Sequence, residues 1–255
     1  MADSSGVVPF AFAETRDEFA QNLAAVQQRI DAALARAGRT DSVRLLPVSK
    51  TVPSERLRFA IEAGCPRLGE NKVQEAQRKS GELADTGVEW AVIGNLQTNK
   101  AKFVAQFATE FQALDRIKVA EALDRRLQAE GRGLDVFVQV NTSGEESKFG
   151  CDPSEAEALI KQLPQFSSLR VKGLMTLAVF SKDTELVRAC FRRLVSLRDQ
   201  LREVAPDGVS VEELSMGMSG DFEAAIEEGS TVVRVGQAIF GARPTPDSEY
   251  WPSAN

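Results

Sequence analysis

Two features of this sequence could do chemistry together. The stretch Leu214–Arg243, LSMGMSGDFEAAIEEGSTVVRVGQAIFGAR, is dense in small residues. It reads as a strand end at Leu214–Gly217, a tight turn, a short helix and a second strand over Thr231–Phe240, broken at Gly236. Phe222, Ala225 and Ile226 fall at helical spacing, Gly229 stops the helix, and Ser219 is a candidate N-cap. Two such strand–turn segments set hydroxyls and backbone N–H groups side by side, which suits a phosphate. The second feature is Lys50, which ends the apolar run VRLLPVSK ahead of a Pro-started helix. A desolvated amine at a strand tip, facing a phosphate cradle, is the arrangement for a Schiff base with pyridoxal 5'-phosphate. Spacing alone also permits a plain solvated lysine.

These residues need elements to position them. Strands are expected at Val43–Lys50, Arg67–Glu70, Glu89–Gly94, Glu110–Asp115, Asp135–Asn141, Val171–Ala178, Val211–Gly217 and Val232–Gly241. Helices are expected between them, at about Ser54–Ala63, Lys72–Leu83, Asn99–Phe107, Ile117–Glu130, Ser154–Gln162, Thr184–Val204 and Gly220–Glu228. Strands alternating with helices and no intervening linker predict an α/β fold, a single-domain (β/α)8 TIM-type barrel. The loops after the last two strands of such a barrel often hold a phosphate. An open doubly wound sheet is the alternative, but no Gly-x-Gly-x-x-Gly follows the first strand. Glu14–Ala37 reads as an extra N-terminal helix, with Phe19, Leu23, Val26, Ile30 and Leu34 on one face. Residues 1–13 and 244–255 read as flexible tails of one domain spanning 1–255.

Seven segments, in order, resemble the pyridoxal phosphate homeostasis protein family, single-domain relatives of the alanine racemase N-terminal barrel. They are PVSKT (Pro47–Thr51), GENKVQE (Gly69–Glu75), IGNLQTNK (Ile93–Lys100), NTSGEESKFG (Asn141–Gly150), GLMT (Gly173–Thr176), LSMGMSGDFEAAI (Leu214–Ile226) and GSTVVRVGQAIFGAR (Gly229–Arg243). The resemblance implies that Lys50 carries the cofactor. It implies that Arg234 faces the pyridine nitrogen, and an arginine there donates to the nitrogen but hardly protonates it. The bland alternative for Arg234 is a barrel-rim ion pair. Ser219, Gly236 and Gln237 become the expected phosphate contacts, with Ser215 a second hydroxyl. Asn71 resembles a cofactor-proximal asparagine, although a helix N-cap is an equal reading. Met218 and Met175 resemble residues near the ring, with a core role favoured for Met175. Lys148 is a second candidate lysine, either a solvated loop residue or a transient site for the aldehyde. The sequence departs from the family pattern at Ala91 and Asn95, where relatives carry histidines, and at Gln237, where a small hydroxyl residue is usual.

Composition sets limits. The chain has 255 residues, no histidine, and a formal net charge of −6. The absence of histidine removes Ser-His-Asp and Cys-His triads and histidine-ligated metals. The acidic balance argues against a nucleic-acid partner. Cys65, Cys151 and Cys190 form no Cys-x-x-Cys. Cys190 falls in a helical stripe with Leu186, Leu194, Leu197 and Leu201, whereas Cys151 is expected nearer the surface. No basic leader or long apolar run is present, so a cytoplasmic, membrane-free protein is expected. A carrier or buffer of the cofactor in vitamin B6 homeostasis is favoured over a racemase or lyase using the same cofactor. The reason is that a two-base racemase needs a second acid/base. The only tyrosine is Tyr250, in the tail. A cofactor-free Schiff-base aldolase is the third reading, and it gives Arg234 no job. Apo-enzymes that require the cofactor are the expected partners, and a monomer the expected state.

Overall fold

The computed structural model describes residues 12–145 and 149–242. Eight parallel strands form the sheet: β1 (Arg44–Pro47), β2 (Arg67–Glu70), β3 (Glu89–Val92), β4 (Glu110–Leu114), β5 (Leu134–Gln139), β6 (Leu169–Met175), β7 (Glu213–Ser215) and β8 (Val232–Val235). Each pairs with its sequence neighbour from β2 through β8, and β8 pairs with β1. The ring is completed by a single parallel bridge between Val48 and Gly69, where the Ser49 N–H donates to the Gly69 carbonyl at 2.9 Å. The fold is therefore an α/β (β/α)8 TIM-type barrel, as the alternation predicts.

The helices that cover the sheet are α2 (Ser54–Glu62), α3 (Val73–Glu82), α4 (Ala101–Phe107), α5 (Ile117–Glu130), α6 (Ala156–Gln162), α7 (Thr184–Arg202) and α8 (Phe222–Glu227). The expected extra helix is present as α1 (Arg16–Arg36). Its start is set by a capping box, in which Thr15 and Glu18 each satisfy the other's backbone N–H. Phe19, Val26, Ile30 and Ala33 of α1 are buried, while Leu23 and Leu34 are partly buried. Along α7 the buried positions are Val187, Cys190, Phe191, Leu194 and Leu201, and Leu186 is 55% exposed. The expected stripe is thus buried at Cys190, Leu194 and Leu201, with Leu197 packed partly buried against the core, and only Leu186 falls outside it.

Three further expectations are corrected. The last strand does not continue to Gly241: it ends at Val235, and Gln237–Phe240 form a short helix, α9. A brief apolar run has no period long enough to separate strand from helix. Here Ile239 and Phe240 turn inward against α1, with Phe240 edge-on to Phe19 at 5.7 Å. Cys151 is buried rather than near the surface, because its N–H donates to the Gln139 carbonyl at the end of β5 and its carbonyl accepts from the Asn141 N–H. Burial pushes its thiol up to about 12, as it does for Cys65. Finally, residues 12 and 13 are not loose. Ala13 is fully buried, its carbonyl accepts from Arg56, and the Phe12 ring lies 3.8 Å beneath the Arg56 guanidinium. Lys148 and Tyr250 lie outside the described residues.

Candidate functional site

The register of β1 against β8 builds the site. Leu46 pairs with Arg234 and Pro47 with Val235, and the Val48 N–H donates to the Val235 carbonyl at 2.9 Å. The chain leaving β1 therefore runs beside the chain leaving β8. Lys50 lies in the turn three residues past β1, half-buried, with Ser49 beside it fully buried. Lys50, Gly236 and Gln237 line one cleft at the C-terminal face of the barrel, together with Val48, Arg56 and Phe240. That is the face on which such barrels carry their chemistry.

Ser219 does not cap α8. The cap position is taken by Asp221, and the Ser219 Oγ instead accepts the Gly236 N–H at 3.1 Å. This bond ties the loop after β7 to the loop after β8. A hydroxyl that accepts still has a hydrogen to donate, so the pair presents a donor at the rim of the cleft. Gly217 sets the course of the first loop, with φ +95° and a Cβ position only 2.8 Å from the Phe222 Cα. Met218 is half-buried in that loop, and its N–H donates to Asp221 Oδ1 at 2.5 Å. Burial raises the Asp221 carboxyl above the usual range, against the pull of that N–H and of Arg234. Glu223 is engaged by Arg29 of α1 at 3.1 Å.

Arg234 is not a rim residue. It is 3% exposed, and its guanidinium donates to Ser215 Oγ at 2.7 Å and to the Thr176 carbonyl at 2.8 Å. Burial lowers its pKa to about 10 and Asp221 opposes the shift, so the group is charged at neutral pH. Ser215 passes the contact inward, donating to Gln112 Oε1 at 2.7 Å. Gln112 donates to Glu110 Oε1 at 2.6 Å, and Glu110 pairs with Arg44 and Arg67, each at 2.9 Å. A polar column thus crosses the barrel interior from below the mouth to the N-terminal ends of the strands. Met175 is fully buried at the end of β6.

Asn71 is exposed just past β2 and is not an N-cap, a position held by Lys72 without a side-chain bond. It packs against Gly94, where a Cβ would lie 2.4 Å from Asn71 Oδ1. Ala91 is buried in β3, and Asn95 donates to Asp115 at 3.1 Å. Sequence reasoning missed a buried group beneath Lys50. Lys79, fully buried, donates to the Ser49 carbonyl and to Glu70 and is ion-paired with Glu75, all within 2.8 Å. Its signal was a lysine on the face of α3 that also carries Val73 and Ala76.

The fold is a parallel (β/α)8 barrel with a lysine and a glycine-bearing loop in one cleft at its mouth, which defines a class of barrel rather than a single activity. Residues 21–244 match the model of the alanine racemase N-terminal domain. The chain belongs to that family, in the branch of the pyridoxal phosphate homeostasis proteins. The homeostasis protein of Pasteurella multocida is 42% identical over 226 residues, spanning 88% of this chain and 97% of its own. An unknown protein from Bifidobacterium adolescentis superposes with a TM-score of 0.81 at 37% identity, covering 91% of this chain and 98% of its own. PipY of Synechococcus elongatus, solved with pyridoxal phosphate bound, superposes with a TM-score of 0.77 at 33% identity. That match covers 88% of this chain and all of PipY.

Proposed function

We propose that this protein binds pyridoxal 5'-phosphate as a Schiff base on Lys50 and serves as an intracellular carrier or buffer of vitamin B6. The observation that carries this reading is that Lys50, Gly236 and Gln237 line the same cleft. The donor set fits the group. Ser219 and the loop at Gly236–Gln237 would hold the phosphate; the Gly236 N–H is taken by Ser219, so Gly236 would serve by close approach, with no side chain in the way. Arg234, fixed by Ser215 and Thr176, would present its charge toward the ring nitrogen from beneath, with Met218 and Asn71 at the edges. When bound, the cofactor would supply an aldehyde able to condense with the Lys50 amine, with loss of water. The relatives' name and the ligand in PipY point the same way.

A carrier suits the rest of the cleft. Among its described lining residues the ionisable side chains are Lys50 and Arg56, both basic. A two-base racemisation needs an acid/base on each face of the substrate. No helix among the described residues is long and apolar enough to cross a membrane. We place the protein in the cytoplasm as a single-domain monomer that delivers the cofactor to apo-enzymes.

The test is a visible spectrum of the protein with pyridoxal phosphate, followed by borohydride reduction and peptide mass spectrometry. The expected result is a yellow band and a reduced adduct on Lys50, both lost in Lys50→Ala without a change in far-UV circular dichroism. An adduct of unchanged yield in Lys50→Ala would move the site to another lysine. Racemisation by the wild type would favour the enzyme reading.

A further inference from the structure

Lys50 lies between two peptide groups that are both gripped by side chains of α3. On one side, the Ser49 carbonyl accepts from Lys79 Nζ at 2.8 Å. On the other, the Thr51 N–H donates to Glu75 Oε1 at 2.8 Å. Lys79 and Glu75 are themselves paired at 2.8 Å, one helical turn apart. The third contact of the Lys79 ammonium is Glu70 Oε1 at 2.7 Å, and that oxygen also accepts from Ser49 Oγ at 2.6 Å.

Thr51 explains why such a grip is needed. Its φ is +69°, and it is the one non-glycine residue with positive φ among the described residues. A β-branched residue in the left-handed region is strained, and such a residue persists only where its surroundings over-determine it. The network is also a poor choice for stability alone. Lys79 and Glu70 are fully buried, Glu70 Oε2 has no partner, and burial raises the Glu70 carboxyl. Apolar residues would fill the space at least as favourably. They could not bond to the Ser49 carbonyl and the Thr51 N–H.

We propose that Glu75 and Lys79 are positioning residues for Lys50. By holding the peptide groups on either side of it they keep the turn left-handed and aim the amine into the cleft it shares with Gly236 and Gln237. This rests on the reading of Lys50 as the cofactor lysine.

Glu75 is the residue to vary, because its side chain is partly exposed whereas Lys79 is sealed in. Three variants separate positioning from general damage: Glu75→Ala, Glu75→Gln, and Glu75→Ala combined with Thr51→Gly. Glutamine keeps an oxygen for the Thr51 N–H, and glycine takes positive φ without strain. Borohydride-fixed adduct on Lys50 is measured at one subsaturating pyridoxal phosphate concentration. Reductive methylation of Lys50 relative to exposed Lys102 is measured in the cofactor-free protein. Glu75→Ala is expected to lower the adduct about tenfold. It should also raise the relative methylation of Lys50, with the melting temperature of the rest of the fold retained. Glu75→Gln and the Thr51→Gly double variant should each recover most of both effects. Unchanged adduct and methylation in Glu75→Ala, or no recovery in either rescue, would overturn the proposal. If the wild type forms no adduct, the cofactor reading fails, and the methylation ratios still decide whether Glu75 aims Lys50.

Discussion

Arg234 is a charge placed where the described residues bond no carboxylate to it. Its fork rests on a hydroxyl and a carbonyl, so its position is fixed by neutral acceptors, and on the proposed reading its charge would serve the ring nitrogen of the cofactor. Arg234→Gln should weaken retention of pyridoxal phosphate about tenfold, read by equilibrium dialysis. Losing a charged donor to buried acceptors also costs about 1–3 kcal/mol of stability, which denaturant unfolding would register. The residue type and spacing made Arg234 visible in the sequence, but its burial was not. In Val232–Val235 the alternation puts Arg234 on one face with Val232, and only pairing with Leu46 makes that face the inside of the ring. Lys79 was illegible for the converse reason. A lysine on an apolar helix face reads as an imperfection until Glu70, nine residues earlier on another element, is brought against it.

At the scale of elements, the strands and helices were legible almost throughout, since each carries its own period. Ile117–Glu130 and Arg67–Glu70 have the expected bounds. The misread piece was the end of β8, and it is the piece that shapes the cradle. Gly236 breaks the strand, and the Ile239 and Phe240 N–H groups both fold back onto its carbonyl at 2.9 Å. The matching loop after β7 depends on Gly217. Gly217→Ala would meet both a left-handed φ and the Phe222 backbone. A destabilisation of about 1–3 kcal/mol is expected. The melting temperature should fall, and the cofactor should be lost from the surviving folded protein faster than from the wild type.

For the whole molecule, the two ends of the barrel do different work. The N-terminal face is closed by Glu110, 2% exposed and shared between Arg44 and Arg67. Glu110→Ala leaves Arg44 with Glu213 and Arg67 with Glu89, but it removes the buried acceptor for both arginines and Gln112, and should cost about 1–3 kcal/mol. Below the new melting temperature the adduct on Lys50 per folded molecule should match the wild type. A lowered adduct would mean that the polar column through Gln112 and Ser215 transmits the loss to the mouth.

The pairing of β1 with β8 has a consequence in time. Synthesis delivers Lys50 early and Gly236 near the end, and the first strand waits for the last before the ring can shut. An unfinished chain carries Lys50 without the Gly236 loop that shares its cleft. On the proposed reading of the site, capture of the cofactor would report a completed barrel, and by mass action it would favour the completed barrel over every earlier form.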